Sequence, residues 1–153
     1  LHWSDETRCA AYAQALAQRP ALRLAYVELD GDLGMGKTTF VRHLLRALGV
    51  PGRIKSPTYT VVETYALPGL TVAHFDFYRF TDPREWVDAG FRDLFAAPGL
   101  KLVEWPLQVA GMLPRPDLRL QIGLGPEPDG GLQGGSREVL LQACTPLGLE
   151  LMA

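Results

Sequence analysis

Between an apolar run, LAYVEL, and a helical one, FVRHLLRAL, the chain reads GDLGMGKTT from Gly31 to Thr39. Gly31, Gly36, Lys37 and Thr38 satisfy the spacing G-x-x-x-x-G-K-S/T. Each residue type has a task in that pattern. Glycines let the backbone turn tightly enough for successive N–H groups to face one concavity. The helix that follows adds unpaired N-terminal N–H groups and a partial positive charge. Lys37 is expected to reach the β- and γ-phosphates of a nucleoside triphosphate, and the Thr38 hydroxyl to be a ligand for Mg²⁺. The cradle as a whole takes in Gly31, Asp32, Leu33, Gly34, Met35, Gly36, Lys37, Thr38 and Thr39.

Two carboxylates stand where such a loop could use them. Asp76 ends VAHFD and Glu104 ends KLVE, both apolar runs of strand type. Open α/β sheets gather ligands outside the C-terminal ends of their strands. An acidic residue there can hold Mg²⁺, hold a water on it, or orient an attacking water. The competing reading is that strand ends reach solvent, where acidic residues are common. His74 shares a strand face with Asp76 and reads as a packed, hydrogen-bonded histidine, while His43 reads as a surface or packing residue. If the strand continues past Glu104, Trp105 points to its opposite face and packs in the core, a nucleotide or partner contact being the second reading.

The surrounding elements must position these groups. SDETRCAAYAQALAQRP predicts a first helix with Ser4 as cap and Pro20 just past its end. Leu22 to Leu29 predicts a strand feeding the loop, and Thr38 to Leu48 a helix stopped by Gly49 and Pro51. RIKSPT reads as a loop, YTVVETY as β-rich, and Leu70 to Asp76 as an apolar strand. Asp82, Pro83 and Glu85 form a helix start with a capping box. LKLVEW, DLRLQIGL and REVLLQAC are further strands, the last two joined by GPEPDGGLQGGS, expected as a mobile hairpin loop. Helices become scarce after Leu94, which predicts an α/β fold with a parallel core extended by antiparallel strands.

A chain of 153 residues is expected to form one domain, 1–153, burying roughly 70% of the surface its unfolded form exposes. Its 47% apolar and 21% charged residues are ordinary globular composition. A net charge of −2 argues against direct, tight binding of DNA or RNA. Cys9 and Cys144 lie far apart with no C-x-x-C spacing, which suits a reducing compartment and core packing. No apolar run is long enough to span a membrane and no signal-peptide pattern opens the chain, so a cytoplasmic location is expected. The chain opens on Leu1 and not Met, so a few preceding residues are expected.

GDLGMGKTTFVR, KSPTYTVVETY, HFDFYRFTDPREW, GFRDLF and LVEWP occur here in the order and spacing of the bacterial TsaE (YjeE) proteins, which the chain resembles over most of its length. That resemblance implies a P-loop NTPase-like three-layer α/β fold. It also implies a weak, partner-dependent Mg²⁺-requiring ATPase that serves N6-threonylcarbamoyladenosine modification of tRNA. The implied ligands are ATP or ADP with Mg²⁺. The implied partners are TsaD and TsaB, with tRNA met only indirectly through that complex. Residue by residue it puts Lys37 on phosphate, Thr38 and Glu104 on Mg²⁺, and makes Asp76 the second functional carboxylate. KSPTYT, Lys55 to Thr60, corresponds to a switch-like loop whose Ser56 and Thr58 hydroxyls contact ligand or water. Thr7 and Arg137 fall where base contacts are expected. Two departures stand out. Met35 replaces the usual Ala and is expected to crowd the phosphate approach slightly, and Leu107 replaces a common acidic residue.

The competing function is a small-molecule kinase of the P-loop class, which needs an Arg-rich lid; the arginines here are scattered. A nucleotide-binding interaction protein that scarcely turns over is a third reading. A GTPase is disfavoured because neither N-K-x-D nor D-x-x-G occurs.

Overall fold

The computed structural model describes residues 1–88, 90–125 and 135–153. Seven strands form one sheet: β1 (His2–Trp3), β2 (Tyr26–Asp30), β3 (Val62–Leu67), β4 (Leu70–Asp76), β5 (Leu100–Glu104), β6 (Leu118–Leu124) and β7 (Arg137–Ala143). Their spatial order is β1-β7-β6-β2-β5-β4-β3. The central four, β6, β2, β5 and β4, run parallel, while β3, β7 and β1 join antiparallel at the two flanks. Buried parallel strands have both faces covered and so read as near-continuous apolar runs, as YVEL, LTVAHF and LKLV do.

Helices cover both faces of this sheet and make three layers. On one side lie α1 (Glu6–Ala17), α2 (Lys37–Leu48) and the C-terminal α5 (Pro146–Met152), which bury Leu16, Phe40, Leu44 and Leu151 against Val27, Leu29, Val72 and Leu102. On the other lie α3 (Glu85–Asp88) and α4 (Phe91–Ala96), over an aromatic cluster of Phe75, Phe77, Phe80 and Trp86. Strand alternation divides the two sets. In β4, Val72 faces α2 and Ala73 and Phe75 face the aromatic cluster, so His74 and Asp76 return to the α2 side.

Element boundaries depart from expectation in instructive places. Asp5, not Ser4, caps α1: its backbone is extended and its carboxylate accepts the Arg8 N–H at 3.0 Å. The strand expected from Leu22 begins at Tyr26, because Pro20–Leu24 winds into a 3₁₀ turn with proline in its first positions. YTVVETY pairs only from Val62; Val61 has φ +70°, a rare conformation for a β-branched residue, and that break keeps Tyr59 and Thr60 out of the sheet. The capping box at α3 is present, with the Glu85 carboxylate accepting the Thr81 N–H at 3.1 Å and the Asp82 N–H at 3.4 Å. Short elements carrying no pattern of their own, β1 and α5, were not anticipated. The connection between β6 and β7 expected as a mobile hairpin loop lies, over 126–134, outside the described residues. No helix among the described residues is long and apolar enough to cross a membrane.

Candidate functional site

Register brings the candidate residues together. β2, β5 and β4 end at one edge of the sheet, with Leu29 beside Glu104 and Glu104 beside Asp76. The glycine-rich loop leaves β2 at that edge and turns into α2. At Gly31 φ is +150° and a Cβ would stand 2.4 Å from the Ile122 carbonyl oxygen of β6. Gly36, at φ +105°, takes the left-handed conformation at the start of α2. Only glycine accepts both conditions at Gly31, so Gly31→Ala is expected to cost roughly 1–3 kcal/mol through strain and collision. A fall in melting temperature of about 2–4 °C per kcal/mol is the readout; a variant melting with the parent would show that β6 yields there.

Lys37 and Thr38 open α2 and point back over the loop. The Lys37 ammonium is buried and donates to the Gly31 carbonyl and, at 3.2 Å, to the Asp32 carbonyl. It also lies 3.9 Å from the centre of the Trp105 ring, a cation–π contact. Burial holds its pKa below the ordinary lysine value, against the upward pull of Glu104, Asp76, Asp30 and Asp32. The Thr38 hydroxyl lies 2.9 and 3.1 Å from the two Glu104 carboxylate oxygens. Asp76 accepts the Tyr78 N–H at 2.9 Å and the Thr58 hydroxyl at 3.4 Å, and burial raises its pKa. Ser56 Oγ is 2.8 Å from Thr58 Oγ1.

A hollow of about 240 Å³ is lined by Leu33, Gly34, Gly36, Lys37, Thr38, Thr39, Thr58, Asp76, Tyr78, Glu104 and Trp105. Across the loop a second hollow, about 230 Å³, is lined by Trp3, Cys9, Met35 and Arg137 together with Asp5, Glu6 and loop residues. Arg137 reaches it from β7 and donates from Nε to the Met35 carbonyl at 2.9 Å. Thr7 lies on the exposed first turn of α1, where its neighbours Asp5 and Glu6 line the hollow and it does not. Met35 likewise lines this second hollow and not the Lys37 side, where crowding was expected. Leu107 is 75% exposed and lines a larger, mostly apolar groove of about 680 Å³ that carries none of Lys37, Thr38, Asp76 or Glu104.

Three side chains escaped the spacing argument. Trp105 does not continue the strand: it adopts φ +57°, swings away from β5, and lays its ring over Lys37 and against Tyr78, centroids 4.9 Å apart. Pro106 was the available signal, since proline ends strand pairing. Tyr78, 40% exposed, lines the same hollow and had no local signature. His74 is buried and hydrogen-bonded as expected, but its partner is a site carboxylate: Nε2 lies 2.6 Å from Glu104 Oε2. His43, on α2, bonds Glu6 of α1 at the surface.

The chain is similar to known proteins over most of its length. A family model described as "Threonylcarbamoyl adenosine biosynthesis protein TsaE" matches residues 3–128. The tRNA threonylcarbamoyladenosine biosynthesis protein TsaE of Haemophilus influenzae is 41% identical over 111 residues, 72% of this chain and 70% of the relative. The Bacillus subtilis protein of the same name is 36% identical over 118 residues, 77% and 72% of the two chains. The crystal structure of Bacillus subtilis YdiB superposes with a TM-score of 0.77 at 27% identity, covering 99% of this chain and 90% of that one. The glycine-rich loop and the strand ends that carry Asp76 and Glu104 lie within a sequence match that spans most of the chain, and the chain belongs to the TsaE family.

Proposed function

We propose that residues 1–153 form a single ATP-binding domain that hydrolyses ATP slowly, with Mg²⁺, in the service of N6-threonylcarbamoyladenosine formation on tRNA. The observation that carries this reading is the meeting of Lys37, Thr38, Asp76 and Glu104 around one hollow at the N-terminus of α2. Polyphosphate would enter between the loop N–H groups and Lys37, whose ammonium would exchange two neutral carbonyls for charged acceptors, a stronger class of bond. The base would lie toward Arg137 and Met35 in the second hollow, with Thr7 at its rim.

Thr38 and Glu104 fit Mg²⁺. Both are hard oxygen donors, adjacent, and at the phosphate end of the loop. Mg²⁺ keeps several waters and needs only one or two protein oxygens beside the substrate phosphates. Consistent with that, no group of three or more His, Cys, Asp or Glu among the described residues could hold a metal by itself. When bound, Mg²⁺ neutralises charge developing on the bridging phosphate oxygens. Asp76, buried at the edge of the hollow and already carrying two hydrogen bonds, orients the attacking water.

The KSPTYT segment is suited to sense the γ-phosphate. Thr58 lines the hollow and bonds Asp76, and the loop rejoins the sheet through the strained Val61, whose N–H donates to the Pro57 carbonyl at 2.7 Å. Strain of that kind, of order 1–3 kcal/mol, favours a second arrangement when a ligand stabilises it. ATP is therefore expected to slow amide hydrogen exchange from Arg53 to Thr60 on the order of tenfold more than ADP, a difference of about 1.4 kcal/mol in local opening. TsaD with TsaB is expected to change turnover, since an arginine supplied from outside is worth ~10³–10⁵ in phosphoryl transfer. Identical exchange with both nucleotides, together with turnover indifferent to those proteins, would remove the switch and bring a kinase forward.

A further inference from the structure

Glu104 is 2% exposed and His74 is 1% exposed, and their side chains meet across neighbouring strands at 2.6 Å. β4 and β5 are paired so that Asp76 stands beside Glu104 and His74 beside Leu102, placing all four on the face that looks toward α2. A carboxylate only accepts hydrogen bonds, so the ring nitrogen facing it, Nε2, bears the proton. The other nitrogen, Nδ1, is buried with no hydrogen-bond partner among the described residues. Among the described residues the imidazole thus makes one hydrogen bond, and that bond is with Glu104.

Glu104 has two described partners, the Thr38 hydroxyl and His74. They are not equivalent. In the nucleotide reading the Thr38 oxygen gives a lone pair to the metal while its O–H stays able to donate, so that contact is itself part of the metal site. His74, held in the core, is the described anchor of the carboxyl group that stands outside the metal site. We propose that His74 is a positioning residue: it fixes the orientation of Glu104 so that the carboxylate faces the Mg²⁺ site in the loaded enzyme. The inference rests on the Mg²⁺–nucleotide reading of the site. Groups that orient a ligating side chain characteristically govern metal affinity by ~10–100-fold.

Calorimetric ADP titrations, first with chelator and then across a Mg²⁺ series, separate this role from simple packing. His74→Ala is expected to bind ADP as the parent does without Mg²⁺, while the Mg²⁺ concentration needed to tighten binding rises ~10–100-fold. His74→Gln carries an N–H at the same reach from the backbone and is expected to recover most of the Mg²⁺ response. His74→Leu fills the space without a donor and is expected to behave as His74→Ala, which keeps the test decisive if the alanine variant does not fold. A parental Mg²⁺ midpoint in the folded donor-less variants overturns the proposal. So does an equal shift in His74→Gln and His74→Leu, or an equal loss of ADP affinity with and without Mg²⁺. If the parent itself shows no Mg²⁺-dependent ADP binding, the nucleotide reading fails first and this inference with it.

Discussion

Lys37→Ala is expected to lower affinity for both Mg–ATP and Mg–ADP on the order of 10²-fold. Among the residues lining the phosphate-side hollow, Lys37 is the sole Lys or Arg, whereas Asp76 and Glu104 supply two carboxylates. Without the ammonium, an anionic ligand would face two acidic groups balanced only by loop N–H dipoles. Truncating one partner of a buried, hydrogen-bonded charge pair costs roughly 2–5 kcal/mol, and each ~1.4 kcal/mol is tenfold in affinity. Lys37→Met separates charge from volume. It preserves contact with the Trp105 ring and is expected to lose affinity as the alanine variant does. Calorimetry on the three proteins checks this, and parental affinity in either variant would take Lys37 out of the binding site.

The second large effect belongs to Glu104. Replacing it is expected to lower kcat on the order of 10²-fold, the scale on which preorganised electrostatic groups act in transition states. ADP affinity measured in chelator should change far less. The distinction follows from where charge would move: a Glu104 that holds Mg²⁺ would matter most as the γ-phosphoryl group departs. Glu104→Ala also strands the buried His74 Nε2 proton, at about 1–3 kcal/mol when unpaired, and takes the carboxylate from the half-buried Thr38 hydroxyl that lines the hollow. Glu104→Gln keeps an acceptor oxygen for one of them and is the cleaner variant for kinetics. Turnover at the parental rate in Glu104→Gln would transfer the metal role to Asp76.

Much of the site was legible because it is local. Gly31, Gly36, Lys37 and Thr38 lie within eight consecutive residues, and their spacing alone states that a strand must turn sharply into a helix. Asp76 and Glu104 were legible for a related reason: each ends an apolar strand run, and open α/β sheets gather ligands outside the C-terminal ends of their strands. The parallel core and antiparallel flanks followed from the same reading of helix and strand periods. Residues whose role is set by backbone reversals were not legible. Trp105 was read on the far face by strand alternation, and one left-handed residue moved it over Lys37. Met35 was expected to crowd the phosphates, and the twist of the loop aimed it at the opposite hollow.

The sequence by itself determined the chemistry available: a backbone that can cradle polyphosphate, one lysine and one threonine at a helix start, and two carboxylates at strand ends. Period and punctuation dictate those features, and both are properties of neighbouring residues. Tertiary structure alone decided which groups meet. Nothing in the spacing between residues 74, 76 and 104 says that β4 and β5 are neighbours, or that they pair with Asp76 opposite Glu104. That register is chosen by the burial of Val72, Leu100 and Leu102 beneath the α1–α2 face and of Ala73, Phe75 and Val103 beneath the aromatic one. A slip of one residue would exchange the two faces and send His74 and Asp76 away from α2. Packing of the whole core therefore sets the 2.6 Å between His74 and Glu104.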